Sequence, residues 1–239
     1  KYIENNLIVS FNLIKNCEKH NVKKIVFSSS ASVYGEPNYL PIDENHNTNP
    51  INYYGLTKLQ IEENLVWYHK LKKINFVSLR YFNASGYDNK QRILHAEKNN
   101  HNLIPEIMNS LIEKNKVVKV FGNDYNTPDG TAIRDYIHVT DLANAHILAL
   151  DYLNNYKKKI IVNLGAKKGT SVLDIIKLSQ RISGKKVNFI YCKRRIGDPR
   201  ELIADYNKAK KILSWRPRFS KIENIIKSSW DIYKLKKND

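Results

Sequence analysis
Residues 25–29 are a short apolar run, Ile-Val-Phe-Ser-Ser, that breaks into small hydroxyl residues through Ser32. An amphipathic stretch follows over residues 53–72, and then an alternating segment from Asn75 to Arg80. Strand, helix and strand of these lengths predict a right-handed crossover between two parallel strands. The fold class is therefore α/β, with a doubly wound parallel sheet whose ligands sit beyond the carboxyl ends of its strands. Two segments fall at such ends, Ser28-Ser29-Ser30 and Tyr81-Phe82-Asn83-Ala84-Ser85-Gly86.

The predicted crossover helix opens on Tyr54-Gly55-Leu56-Thr57-Lys58. A spacing of four residues puts the Tyr and Lys side chains on one helical face. A tyrosine is a base near neutral pH only if its pKa of about 10 falls by roughly three units, about 4 kcal/mol. An ammonium about 4–5 Å away supplies roughly that at an effective dielectric near 20. Tyr54 as base, Lys58 as the charge that activates it and Ser30 as third partner form the candidate catalytic set.

The remaining chain alternates helix and strand. Apolar residues at Ile3, Leu7, Phe11, Ile14 and Cys17 predict a helix over residues 2–20. Pro37, Pro41 and Pro50 mark a loop, in which the adjacent Asp43 and Glu44 read as solvated. Residues 87–102 are polar and aperiodic; a helix over 103–115, with Asn102 as its cap, and a strand over 117–121 follow. His138, in a Tyr-Ile-His-Val strand pattern, reads as a packed and hydrogen-bonded histidine, with Thr140 and Asp141 capping a helix over 142–153. Later come a strand over 160–164, a helix over 171–184 stopped by Gly184, a strand over 187–191 and helices over 205–213 and 222–235.

Of 239 residues, 40 are Lys or Arg against 23 Asp or Glu, a formal charge of +17. The lysines are scattered among asparagines and form no long block, which reads as a solvated surface and not as a nucleic-acid face. Cys17 and Cys192 have no metal-ligand spacing, which indicates no metal site and a reduced, cytoplasmic setting. No apolar run approaches the length of a membrane span.

Ser30, Tyr54 and Lys58 at these places resemble the Ser/Tyr/Lys triad of the extended short-chain dehydrogenase/reductase family. The run from Phe121 to Ala143 is similar to that of the family's UDP-glucose (UDP-galactose) 4-epimerases. The resemblance implies NAD as cofactor, UDP-glucose and UDP-galactose as substrates, and reversible epimerisation at C4 through a 4-keto sugar. It implies that Asn5, Ser28, Tyr54, Lys58 and Tyr81 contact the cofactor. Ser30, Asn83, Asn102, Leu103, Phe121, Tyr136 and Leu202 would contact the nucleotide-sugar. Arg134 and Arg195 would hold its diphosphate, which arginine's planar fork suits. Asp198 would take the uridine ribose, and Leu202 would bound the pocket around the hexose C2 substituent. Residues 1–86 would belong to the NAD-binding domain and 87–239 mainly to a smaller α/β substrate domain, with residues 132–154 returning to the first. Family members are often homodimers that pair the helices equivalent to residues 2–20 and 53–72.

The family's glycine-rich phosphate fingerprint and its acidic ribose contact are absent, and the chain starts at Lys1. It is expected to be the carboxyl-terminal two-thirds of such an enzyme, with the first strands of the sheet missing and little activity alone. Three rivals share the fold. Nucleotide-sugar 4,6-dehydratases and decarboxylases place an acid just after the strand-end hydroxyl, where this chain has Ala31 and Ser32; uronate epimerases lack Tyr81-Phe82-Asn83 with Asn123-Asp124-Tyr125. A non-catalytic nucleotide-sugar-binding relative would not need Ser30, Tyr54 and Lys58 together.

Overall fold
The computed structural model describes residues 2–97, 101–113 and 115–235. The crossover forms as predicted. Strand β1 (Lys24–Ser30) leads through a loop to helix α2 (Tyr53–Lys72) and back to β2 (Asn75–Tyr81), which lies parallel to β1 with Ser28 opposite Leu79 and Ser30 opposite Tyr81. Before them, a π-helical stretch Ile3–Ile8 runs into α1 (Val9–Lys19), so the first predicted helix is two windings in one rod. Strand β6 (Ile160–Leu164) completes a parallel sheet in the order β1-β2-β6.

Strand alternation sorts the two faces of this sheet. Phe76 packs with Ile14, Ile61 and Leu65 under α1 and α2, while Val77 and Leu79 pack with Leu142, Ala145 and Ala149 of α4 (Val139–Asn155). Helix α4 begins three residues before its expected start because His138, not Thr140 or Asp141, is its cap, with Nδ1 accepting from Thr140 N at 3.1 Å. The Asp141 carboxylate instead accepts from Arg218 N, Phe219 N and Ser220 Oγ.

A second core lies among α3 (Leu103–Ile112), β4 (Val118–Phe121), α5 (Val172–Ser183) and α7 (Ile222–Tyr233), where Ile107, Met108, Ile175, Ile176, Ile225 and Ile226 meet. Between the two cores runs β5 (Ile133–His138). It pairs parallel with β3 (Asn83–Ser85), antiparallel with β7 (Gly169–Ser171) and parallel with β9 (Glu201–Leu202). Strand β8 (Phe189–Cys192) pairs with β4, and α6 (Asn207–Leu213) covers β6. Strands β3, β7 and β9 went unpredicted because two or three residues carry no periodicity. No described helix is long and apolar enough to cross a membrane.

Helix α2 is fixed to the sheet by charge as well as by apolar contact. Glu62, 2% exposed, accepts from Arg80 Nη2 at 2.6 Å, from Arg80 Nε at 3.1 and 3.2 Å and from Ser78 Oγ at 2.9 Å. Arg80 Nη1 donates to Tyr34 Oη, which donates to Asn163 Oδ1 on β6 at 2.7 Å. Breaking one partner of a buried pair costs about 3–5 kcal/mol because the other charge is stranded. Glu62→Gln and Arg80→Met should each lower stability by about that much in urea unfolding. Glu62→Met with Arg80→Met should cost clearly less than the sum, and additive losses would show that the pair does not act as a unit.

Candidate active site
The carboxyl ends of β1 and β2 open onto a cleft of about 890 Å³ whose far wall is built from α3, β4, β5 and the loop before β9. On the sheet side it is lined by Ser30, Tyr54, Tyr81 and Asn83, and on the far side by Asn102, Leu103, Phe121, Arg134, Arg195 and Asp198, with Tyr136 and Leu202 at its base. Twelve of the residues expected at the site thus face one cavity. Ser28 and Lys58 lie beside it at the edge of β1, and Asn5 stands exposed on the first helix. There the neighbouring Asn6, not Asn5, reaches α2, donating to Thr57 Oγ1 at 3.0 Å.

Tyr54 is set by the start of α2. Asn52 caps that helix, its Oδ1 accepting from Gly55 N at 2.8 Å. Gly55 has to be glycine: a Cβ there would stand 2.2 Å from the Ser32 carbonyl oxygen. This close approach brings the Tyr54 phenol into hydrogen-bonding reach of the Ser30 side chain. Burial pushes the Tyr54 phenol above its ordinary pKa, and the Ser30 hydrogen bond partly offsets this. Lys58 differs from expectation. Its Nζ donates to Ser28 O at 2.9 Å and lies 5.7 Å from the Tyr54 ring centroid and 5.1 Å from that of Phe27. Burial holds the Lys58 ammonium below its usual range. In the protein alone the lysine therefore does not turn Tyr54 into a phenolate.

The far wall is cationic and aromatic. Arg134, 8% exposed, is pinned by Ile133 O, Arg200 O and Pro199 O and is ion-paired through Nη2 with Asp198 Oδ1. The arginine and the aspartate that the family resemblance assigns to different parts of a nucleotide are thus partners. Arg195 is exposed, with its guanidinium carbon 3.9 Å from the Phe121 ring centroid. Tyr136 belongs mainly to the second core, and burial drives its phenol far up. Leu202 is shared between core and cleft. It is 8% exposed within a core cluster that includes Phe82 and Ala204, and it still lines the cleft.

The profile of the NAD dependent epimerase/dehydratase family matches residues 1–165. The chain belongs to that family. It is 42% identical to the UDP-glucose 4-epimerase of Halalkalibacterium halodurans over 98% of this chain and 70% of that protein. The crystal structure of UDP-glucose 4-epimerase from Brucella ovis in complex with NAD superposes with a TM-score of 0.92 at 40% identity, covering 98% of this chain and 72% of that one. The UDP-glucose 4-epimerase of Bifidobacterium longum in complex with NAD+ and UDP gives a TM-score of 0.89 at 38% identity, over 99% and 71%. The parallel sheet with helices on both faces is the Rossmann-like architecture of these enzymes.

The side chains present suit the family's dinucleotide. Lys58 has used one of its three donors on Ser28 O. Ser29 Oγ is buried at the cleft with no hydrogen-bond partner among the described residues. Hydroxyl and ammonium groups gathered at strand ends match a ligand rich in ribose hydroxyls. Other members of the site escaped sequence reasoning. Asn52 holds the far wall to α2, donating from Nδ2 to Gly197 O at 3.3 Å. Gly197, at φ +73°, would press a Cβ to 2.6 Å from Ile51 O. An Asn before a helix signals a cap, but nothing in the sequence signals its second partner. Because the Ser30 contact lowers the Tyr54 pKa, Ser30→Ala should move the Tyr54 titration further up in ultraviolet difference spectra, with Tyr54→Phe identifying the signal. A downward or absent shift would show that the two side chains are not bonded.

Proposed function
We propose that the chain carries the active site of a UDP-glucose 4-epimerase, interconverting UDP-glucose and UDP-galactose through a transient 4-keto sugar with NAD bound. One observation carries this reading. Ser30 and Tyr54 at the carboxyl end of the sheet, with Lys58 beside them, line the same cleft as Arg134 and Arg195 opposite, so a diphosphate can be anchored on one side while a sugar carbon meets Tyr54 on the other.

The cofactor supplies reversible oxidation of a secondary alcohol, and Asn5, Ser28, Tyr54, Lys58 and Tyr81 are the residues proposed to hold it. Tyr54 Oη takes the proton of the 4-hydroxyl, with Ser30 aligning or relaying it. Lys58, half-buried between the rings of Tyr54 and Phe27, keeps a cation beside the developing phenolate. Arg134 and Arg195 bind the diphosphate, Asp198 the uridine ribose, and Asn83, Asn102, Leu103, Phe121 and Tyr136 the remaining nucleotide-sugar. A firm grip on the nucleotide and a loose one on the sugar lets the keto intermediate turn over. Ala31 and Ser32 offer no extra acid for dehydration or decarboxylation.

The protein is further proposed to act in the cytoplasm as a homodimer through α1 and α2. Their outer faces expose Leu13 (61%), Trp67 (57%) and Leu71 (69%), more apolar surface than a solvated helix pair needs. Trp67→Glu with Leu71→Glu should then halve the mass seen in sedimentation.

Tyr54→Phe should reduce interconversion of UDP-galactose and UDP-glucose by about 10²–10⁴-fold and still bind UDP-sugar. Retention of more than about a tenth of the rate would remove Tyr54 from the base role. At the base of the cleft, an added acetamide must displace Leu202 at about 1–3 kcal/mol. UDP-N-acetylglucosamine should therefore turn over roughly 10- to 100-fold more slowly than UDP-galactose, and Leu202→Tyr should remove that activity while sparing the main one. Equal effects on both substrates would make Leu202 structural only.

A further inference from the structure
Strand alternation places Ser28 and Tyr81 on the α4 face of the sheet, where His146 stands half-buried. His146 Nδ1 lies 2.8 Å from Leu142 O. A carbonyl can only accept, so Nδ1 carries the ring proton, and in the neutral imidazole Nε2 offers a lone pair. Nε2 lies 2.6 Å from Tyr81 Oη, which must therefore donate. With its single proton committed, Tyr81 Oη can only accept from Ser28 Oγ at 2.8 Å. Ser28 Oγ also lies 3.3 Å from Nε2, which can only accept, so Ser28 is the donor in both of its contacts and the Leu142 carbonyl sets the direction of every bond in the cluster. Ser28 also ties the row to Lys58, whose Nζ donates to its carbonyl oxygen.

Of the phenols that line the cleft, Tyr54 and Tyr81 stand nearest the carboxyl ends of β1 and β2, and the reaction needs one phenol to exchange its proton with substrate. We propose that His146 is a positioning residue that makes them different. By accepting the hydrogen bond of the Tyr81 hydroxyl it locks that ring against α4 and removes it from proton exchange, leaving Tyr54, which lines the cleft with Ser30, as the phenol that faces the sugar. The ring contact of 5.7 Å between centroids at an interplanar angle of 63° adds a packing restraint to the hydrogen bond. This goes beyond the role proposed for Tyr81 and, in its catalytic half, rests on the epimerase reading.

The test has two arms. Long-range proton–nitrogen spectra of the ligand-free protein, with tyrosine labelled at Cζ, should show His146 protonated at Nδ1. Tyr81→Phe should shift its Nε2 resonance, and His146→Phe should shift the Tyr81 Cζ resonance, which His146→Gln, whose side-chain oxygen can accept, should largely restore. In the cofactor-loaded enzyme His146→Phe should lower kcat about 3- to 10-fold, the worth of one neutral hydrogen bond, with KM for UDP-galactose unchanged. His146→Gln should recover most of that loss, and adding Tyr81→Phe to His146→Phe should cost nothing further. An Nε2-protonated His146, a Tyr81 resonance unmoved by His146→Phe, or a rate loss that Gln does not rescue would each overturn the proposal. The expected spectra in a protein without turnover would support the hydrogen-bond assignment and count against the epimerase reading instead.

Discussion
The ion pair between Glu62 and Arg80 is the contact through which α2 finds its place. Apolar packing alone would let a helix slide along or roll on a sheet at modest cost, since one aliphatic contact replaces another. A carboxylate 2% exposed cannot be moved from a guanidinium 5% exposed without stranding both charges. Ser78 and Tyr34 occupy further lone pairs and donors of the pair, so the network has one satisfied arrangement. Tyr54 lies eight residues before Glu62 on the same helix, about 12 Å along its axis at 1.5 Å per residue. Fixing Glu62 against β2 therefore fixes where the Tyr54 phenol emerges beyond the ends of β1 and β2.

The other wall of the cleft is coupled to this frame by polar contacts at its joints. Asp135, fully buried beside Arg134, accepts from Ala166 N, Lys167 N and Ala204 N, gathering the loop after β6 and the segment after Leu202 around β5. Burial outweighs these donors and pushes its carboxyl up to about 6. Asn52 then links the loop of Arg195 and Asp198 to the cap of α2. The sheet end and the arginine wall thus face each other across a cavity with fixed joints, the preorganisation that oriented chemistry requires.

The sequence was informative wherever function and periodicity coincide. Helix α2 spans the predicted residues 53–72, β1 followed from an apolar run of strand length and β2 from an alternating one. Phe121, Arg134 and Tyr136, which line one cleft, were picked out together because the run from Phe121 to Ala143 is read as a unit, not position by position. What stayed hidden were pairings between distant segments: Arg134 with Asp198, Asn52 with Gly197, Tyr81 with His146. Each joins residues at least 64 positions apart, and a single sequence holds no record of which polar side chains meet. The position of Lys58 failed for a related reason. Helical spacing gave the face it occupies, but not the backbone oxygen of Ser28 that captures its ammonium.

That capture changes how the base has to be understood. An ammonium about 4–5 Å from a phenolate oxygen supplies about 4 kcal/mol at an effective dielectric near 20. Here the Lys58 nitrogen lies 5.7 Å from the ring centroid and donates elsewhere. Desolvation raises the Tyr54 pKa and lowers that of Lys58, so burial pushes both groups toward their neutral forms. The polypeptide therefore prepares the pair without ionising it. Ser30 offsets part of the burial at Tyr54, and in the proposed mechanism the lysine turns from Ser28 toward Tyr54 to present its charge. That turn has to outweigh the desolvation that now favours the neutral forms of both groups, which places the energetic burden of the proposed base on the distance between the two side chains.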